Sequence, residues 1–284
     1  MTHESLQRIA VVGLGLIGGS LVQSLRRALP ERTLLGVDYA PVLALAGGFL
    51  DEQHPLADLP HAVANADLIF LATPINAILD MLPAIANAAK LGAIVTDVGS
   101  TKHQIVEKAK SCFSDKKTFI GGHPMAGLEK GGWENAQPHL FENCAYVLTP
   151  TEHCPAAPLA AVQELLAKMG TRVMLLDAEE HDRVAAEISH LPQLLAVALT
   201  NFIARAGVAL EPRLQMAARG LRDMTRIAAS PYDIWCDILQ TNRANVQTSL
   251  QQFIRVLQML EADLARENLE AAFQNAKTIR GSLL

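Results

Sequence analysis

Cysteine is scarce in this sequence, and its spacing pairs none of it. Cys112, Cys144, Cys154 and Cys236 form no C-x-x-C element, so neither a zinc site nor a disulfide framework is indicated and no metal is expected. Positive charge is short too. The 24 Lys and Arg against 29 Asp and Glu leave a net charge of −5, which gives no electrostatic basis for a nucleic-acid partner or an anionic lipid surface. Long apolar runs are missing: Leu191 to Ala206 is broken by Gln193, Thr200 and Asn201 and is too short and too polar to span a bilayer. The opening residues, Met1 to Arg8, do not have the shape of a signal peptide. No internal repeat or low-complexity segment occurs. These absences point to a soluble cytoplasmic protein with reduced thiols. Half of its 284 residues are hydrophobic and 19% are charged, enough for two packed domains or one large one.

The most informative element that is present lies near the N-terminus. Gly13-Leu14-Gly15-Leu16-Ile17-Gly18 is a G-x-G-x-x-G run that follows a strand-like stretch, Ile9 to Val12, and opens a helical pattern through Ile17, Leu21, Val22 and Leu25. The next strand, Thr33 to Val37, ends in Asp38, twenty residues past Gly18. One glycine permits a tight turn, one lets the backbone approach a pyrophosphate, and one lets helix and strand pack closely. The helix N-terminus at Leu16 and Ile17 offers N–H groups and partial positive charge to phosphates. Asp38 can accept hydrogen bonds from an adenosine ribose. A carboxylate there suits the free 2′-hydroxyl of NAD and repels the 2′-phosphate of NADP. No arginine follows in Tyr39-Ala40-Pro41, so NAD is expected in preference to NADP.

Strand and helix signals alternate over the first half. Ala66 to Ala72 and Ala93 to Asp97 are continuous apolar runs of the kind found in buried parallel strands. Thr73 and Pro74 close the first of these and join the expected cofactor-binding residues. Further strands are read at Thr118 to Gly121, Cys144 to Leu148 and Arg172 to Leu176, the last two flanking a helix from about Pro158 to Met169. Repeated βα units predict a doubly wound, Rossmann-type α/β domain over residues 1–177. From Asp177 onward strand signals stop, predicting an all-α domain over 178–284. Ala178 to Arg205 reads as one long helix that Pro192 should kink or split. Ser230-Pro231 reads as an N-cap followed by proline at the first helical position. Val246, Leu250, Phe253, Leu257, Leu260 and Leu264 form a seam suited to helix packing, internal or between subunits, ended by Arg266-Glu267-Asn268.

In open α/β sheets ligands bind at the carboxyl ends of the strands. Three polar clusters fall at such ends or in the helical half. They are Asp97-Val98-Gly99-Ser100-Thr101-Lys102; Gly122-His123-Pro124-Met125-Ala126-Gly127, with Glu129 just beyond; and His190 together with Arg222 and Arg226. His123 is the best candidate base, since imidazole titrates near neutrality and suits the removal of a hydroxyl proton as hydride leaves the same carbon. The alternatives are ordinary ones: a loop histidine bonded to backbone for His123, a helix cap at Thr101 for Ser100, a core histidine for His190, a solvated helix charge for Arg226 and a core aromatic for Trp235.

Taken in order, the glycine run with Gly19-Ser20, Asp97 to Lys102, Gly122 to Gly127, Ser189-His190-Leu191-Pro192 and Asp223-Met224-Thr225-Arg226-Ile227-Ala228 resemble the prephenate/arogenate (cyclohexadienyl) dehydrogenase family across nearly the whole chain. The resemblance implies oxidative decarboxylation of a cyclohexadienyl substrate in tyrosine biosynthesis, with NAD accepting hydride. It implies His123 as base, Ser100 as a hydrogen-bond partner of the same hydroxyl, Arg226 as the carboxylate clamp and His190 in the substrate pocket. Glu129 would stand near the pocket mouth, Arg222 would be a second basic position, and Trp235 would be a residue supplied across a dimer interface. A homodimer through the helical domain is implied. With no room before Arg8 for a mutase domain and nothing after Leu284 for a regulatory one, tyrosine inhibition is expected to act at the substrate site. A β-hydroxyacid dehydrogenase would use a helical-domain lysine where this chain has His190. A non-catalytic NAD-sensing regulator would leave His123 and Arg226 without a purpose.

Overall fold

The computed structural model describes residues 2–39, 47–113, 117–128, 130–205 and 210–282. Strands β1 (Arg8–Val12), β2 (Thr33–Asp38), β3 (Glu52–Pro55), β4 (Leu68–Leu71), β5 (Ile94–Asp97), β6 (Thr118–Pro124), β7 (Ala145–Pro150) and β8 (Arg172–Leu175) form one sheet in the order β3-β2-β1-β4-β5-β6-β7-β8. Every neighbouring pair is parallel except β6 with β7. This is the doubly wound α/β arrangement that the sequence predicts. The sequence reading overlooked β3. It is an edge strand of Glu-Gln-His-Pro, half-exposed, so it carries none of the apolar signal of a strand covered on both sides.

The central strands are apolar throughout because helices cover both faces. Ile9 and Val11 of β1 and Leu68 and Phe70 of β4 pack with α1 (Leu16–Ala28) on one face. Their alternating neighbours Ala10, Val12, Ile69 and Leu71 join α2 (Leu59–Val63), α3 (Ile75–Ala88) and α4 (His103–Cys112) on the other. Each large side chain so buried contributes about 1.5–3 kcal/mol. Helix α5 (Ala156–Lys168) adds Val162, Leu165 and Leu166 to the α1 face.

After β8 the described chain is helical: α6 (Ala178–Ala185), a π-helical turn over Ala186–His190, α7 (Leu191–Arg205), α8 (Leu210–Gln215), α9 (Arg219–Thr225), α10 (Tyr232–Thr241), α11 (Arg243–Ala265) and α12 (Glu270–Gly281). The helix expected from Ala178 to Arg205 is therefore divided, and Pro192 sits one residue into its second part. Proline has no N–H for the Ile188 carbonyl and its ring crowds that carbonyl; a wider π turn accommodates both. The expected cap at Ser230 is corrected by one residue. Pro231 is the N-cap position of α10, and the Ser230 hydroxyl instead donates to the Ile227 carbonyl at 2.8 Å. Glu267, with φ +57°, lies between α11 and α12. The α11 seam is buried at Val246 but exposed at Leu257, Leu260 and Leu264.

Strand order reverses between β1 and β4, the position at which such sheets take ligands. The glycine turn follows β1, Thr73-Pro74 follows β4, Ser100 follows β5, and His123 lies near the end of β6.

Candidate active site

The turn after β1 divides its glycines by task. Gly13 has φ +91°, and a Cβ there would meet the Ala72 carbonyl oxygen at 2.6 Å. Gly18 packs too closely on the Gly13 carbonyl for any side chain to fit. Of these three, Gly15 is the glycine at which a Cβ would meet no described atom within 4 Å. It is also the N-cap of α1 and supplies no side-chain cap, so the first N–H groups of that helix are donors for an anion. Asp38 accepts from the backbone N–H of Leu14 at 2.6 Å and of Tyr39 at 2.6 Å. The first of these bonds ties its carboxylate to the glycine turn, and carboxylate oxygens have further lone pairs for ribose hydroxyls. These residues fit a dinucleotide. Ala40, Pro41 and Glu129 lie outside the described residues.

A cleft of about 630 Å³ separates the carboxyl ends of the strands from the helical half. Gly15, Leu16, Ile17, Thr73 and Pro74 line it from the nucleotide turn. Ser100 and His123 line it from the sheet, and His190, Arg226 and Trp235 from the helices. Gly13, Gly18 and Asp38 are not on its wall. Arg222 is exposed on α9 and also off the wall; α9 ends at Thr225, the chain tightens into a 3-10 turn at Arg226, and Arg226 lines the cleft. Trp235 lines the cleft of its own chain and packs edge-to-face on His190, ring centroids 6.0 Å apart.

The strand bearing His123 is tied down from beneath. Asp97 accepts from the Gly122 N–H at 3.1 Å and pairs with the Lys102 ammonium, which also donates to the Gly122 carbonyl at 2.7 Å. A Cβ on Gly122 would strike the Asp97 carbonyl oxygen at 2.6 Å, so only glycine lets β6 come this close to β5. His123 itself is buried, with Nδ1 2.8 Å from Nε2 of His181; Nδ1 of His181 is 2.8 Å from Asp182. Burial, reinforced by His181, Lys102 and His190, holds His123 well below the ordinary imidazole value. It is therefore neutral near pH 7 and able to accept a proton.

Ser100 is not a helix cap. Helix α4 begins at His103, and the N–H groups of Lys102 and His103 donate to the Asp182 carboxylate at 2.6 and 3.0 Å. His190 is buried, and its Nδ1 faces the Asn242 amide nitrogen at 3.2 Å. That amide donates, so the ring hydrogen belongs on Nε2, which has no partner among the described residues. Burial pushes His190 down to about 4, making it a neutral donor at pH 7. Gln193 was missed by sequence reading. Its Nε2 donates to the Ile227 carbonyl at 3.0 Å, its Oε1 has no partner among the described residues, and it lines the same cleft. Its three-residue spacing from His190, one helical turn, was the available signal. His181 and Asp182 were also missed, and the separation of 58 positions between His123 and His181 leaves no local signal of their contact.

Two family models match the chain: "Prephenate dehydrogenase, nucleotide-binding domain" over residues 21–175 and "Prephenate dehydrogenase, dimerization domain" over 177–278. A prephenate dehydrogenase of Lactococcus lactis subsp. cremoris is 35% identical over 288 residues, covering 98% of this chain and 78% of that one. Among solved structures, the prephenate dehydrogenase of Aquifex aeolicus in complex with hydroxyphenyl propionate and NAD+ matches with a TM-score of 0.87 at 29% identity, covering 97% of this chain and 96% of that one. The Synechocystis arogenate dehydrogenase matches with a TM-score of 0.84 at 34% identity, covering 98% and 100%.

Proposed function

The chain belongs to the prephenate dehydrogenase family and is an NAD-dependent dehydrogenase, and from that premise we propose that its cleft oxidatively decarboxylates a cyclohexadienyl acid with His123 as the base and Arg226 as the carboxylate clamp. The observation that carries this reading is that His123, Arg226 and Gly15 of the glycine turn line one cleft. Bound NAD supplies the hydride acceptor. The substrate hydroxyl gives its proton to His123 Nε2 as hydride departs from the same carbon. The ring carboxylate leaves as CO₂ and the ring becomes aromatic. Ser100 orients the hydroxyl, and the planar fork of Arg226 suits a carboxylate. Nε2 of His190 and Oε1 of Gln193 offer one donor and one acceptor to the remaining polar groups of the substrate. Asp38 favours NAD over NADP. The enzyme works in the cytoplasm as a homodimer joined through its helical half.

The test is NADH formation from NAD+ with prephenate and, in parallel, with arogenate. His123→Asn should lower kcat by roughly 10²–10⁴-fold with NAD binding retained. Near-normal turnover by that variant would remove His123 from the base role. Failure of the wild type to reduce NAD+ with either acid, coupled with reduction by a β-hydroxyacid, would replace the whole reading.

A further inference from the structure

A buried imidazole that must accept a proton faces two difficulties. Its proton has to sit on the nitrogen away from the substrate beforehand, and its positive charge has to be tolerated afterwards. The surroundings of His123 oppose the charge, because Lys102, His181 and His190 stand near it in a desolvated site. The Asp97 carboxylate, beneath the same strand, is already committed to Lys102.

The contacts behind His123 answer both difficulties. Ionised Asp182 is an acceptor only, and it takes the N–H groups of Lys102 and His103 as well as facing Nδ1 of His181 at 2.8 Å. Nδ1 of His181 must then carry hydrogen, so Nε2 of neutral His181 is a lone pair. That lone pair faces Nδ1 of His123 at 2.8 Å, so Nδ1 of His123 carries hydrogen and its Nε2 is the acceptor. His181 and Asp182 are both 2% exposed, which keeps water from competing for these bonds.

We propose that His181 and Asp182 are positioning residues for the base: Asp182, acting through His181, holds the proton of His123 on Nδ1 and disperses the positive charge that His123 gains from the substrate hydroxyl. The inference rests on His123 being the base. The substrate O–H bond breaks, the Nε2–H bond of His123 forms, and the Nδ1 hydrogen shifts toward His181 without Asp182 itself becoming protonated, as in Ser-His-Asp sites. His123 comes from β6 and the relay residues from α6, so the base is prepared only when the helical half is seated on the sheet.

Two measurements test this. The first needs no turnover: the ring ¹⁵N shifts of His123 should report hydrogen on Nδ1 in the wild type and a shift of population to Nε2 in Asp182→Asn. The second is kinetic. His181→Phe, which removes the acceptor, should lower kcat by roughly 10²-fold or more, by analogy with the wrong-tautomer penalty of about 10⁴ in serine proteases. His181→Gln, whose carbonyl can accept from Nδ1–H, should recover at least about tenfold of that loss. The Kd for NAD should stay within about twofold in both His181 variants, since neither touches the glycine turn. Unchanged ¹⁵N shifts in Asp182→Asn, or equal losses in His181→Gln and His181→Phe, would overturn the relay. Wild-type turnover by His123→Asn would instead overturn the base assignment, leaving the ¹⁵N result to judge the tautomer alone.

Discussion

Lys102 and Asp97 form an ion pair with neither side chain reaching solvent, directly beneath the strand that carries His123. The ammonium also holds the Gly122 carbonyl, and the carboxylate holds the N–H groups of Gly99 and Gly122. One buried pair thus clamps the end of β5 to the backbone next to the base. Breaking such a pair costs more than replacing it, because the surviving charge is left without a partner.

Lys102→Met is therefore expected to destabilise the protein by about 3–5 kcal/mol, read from chemical denaturation. The double variant Lys102→Met/Asp97→Leu should lose less than the single one. A single variant within about 1 kcal/mol of the wild type would show that the pair does not hold the strand.

His190 makes stability depend on acidity. Its value of about 4 in the fold lies below the ordinary 6.5, so between those pH values the unfolded chain binds a proton that the folded chain refuses. The His190 contribution is intact above pH 6.5, is lost as pH falls toward 4, and levels off below that, up to about 3 kcal/mol in all. Urea midpoints across this window should fall more steeply for the wild type than for His190→Asn. Parallel curves for the two proteins would contradict the burial argument.

Arg226 should act on binding. Arg226→Ala is expected to raise KM for the cyclohexadienyl acid roughly 10- to 100-fold, the value of a charge-assisted pair, with the KM for NAD little changed. Arg226→Lys should recover only part of the loss, because an ammonium lacks the planar fork. An unchanged KM in Arg226→Ala rejects the clamp.

Asp38 should govern the choice of cofactor. Replacing its carboxylate with the hydroxyl of Asp38→Ser removes the repulsion toward a 2′-phosphate. The ratio of kcat/KM for NAD over NADP should fall at least about tenfold. A wild-type preference for NADP would already refute the assignment.

Large apolar side chains of α11 and α12 stand open in a single chain. Leu257 is 49%, Leu264 64% and Phe273 72% exposed, exposure of the kind that marks protein interfaces. The wild type should elute as a dimer, and Leu264→Glu together with Phe273→Glu should shift it to a monomer in light scattering. A dimer that survives both changes would place the interface elsewhere.

Much of this molecule was legible in one dimension because local physics repeats along a chain. A strand covered on both faces must be apolar at every position, which made β1, β4 and β5 readable. A turn that needs positive φ and close backbone approach must use glycine, which exposed the nucleotide turn from Gly13 to Gly18. Short edge strands such as β3 obey neither rule and passed unseen. Competition between caps could not be read either: Ser100 and Ser230 both had the right chemistry, yet Asp182 reached the start of α4 and a carbonyl claimed Ser230. The convergence of His123, His181, Asp182 and Arg226 arises when the helical half docks on the sheet. Contacts between residues this far apart follow from how whole elements pack, and no periodicity or spacing in the chain encodes them.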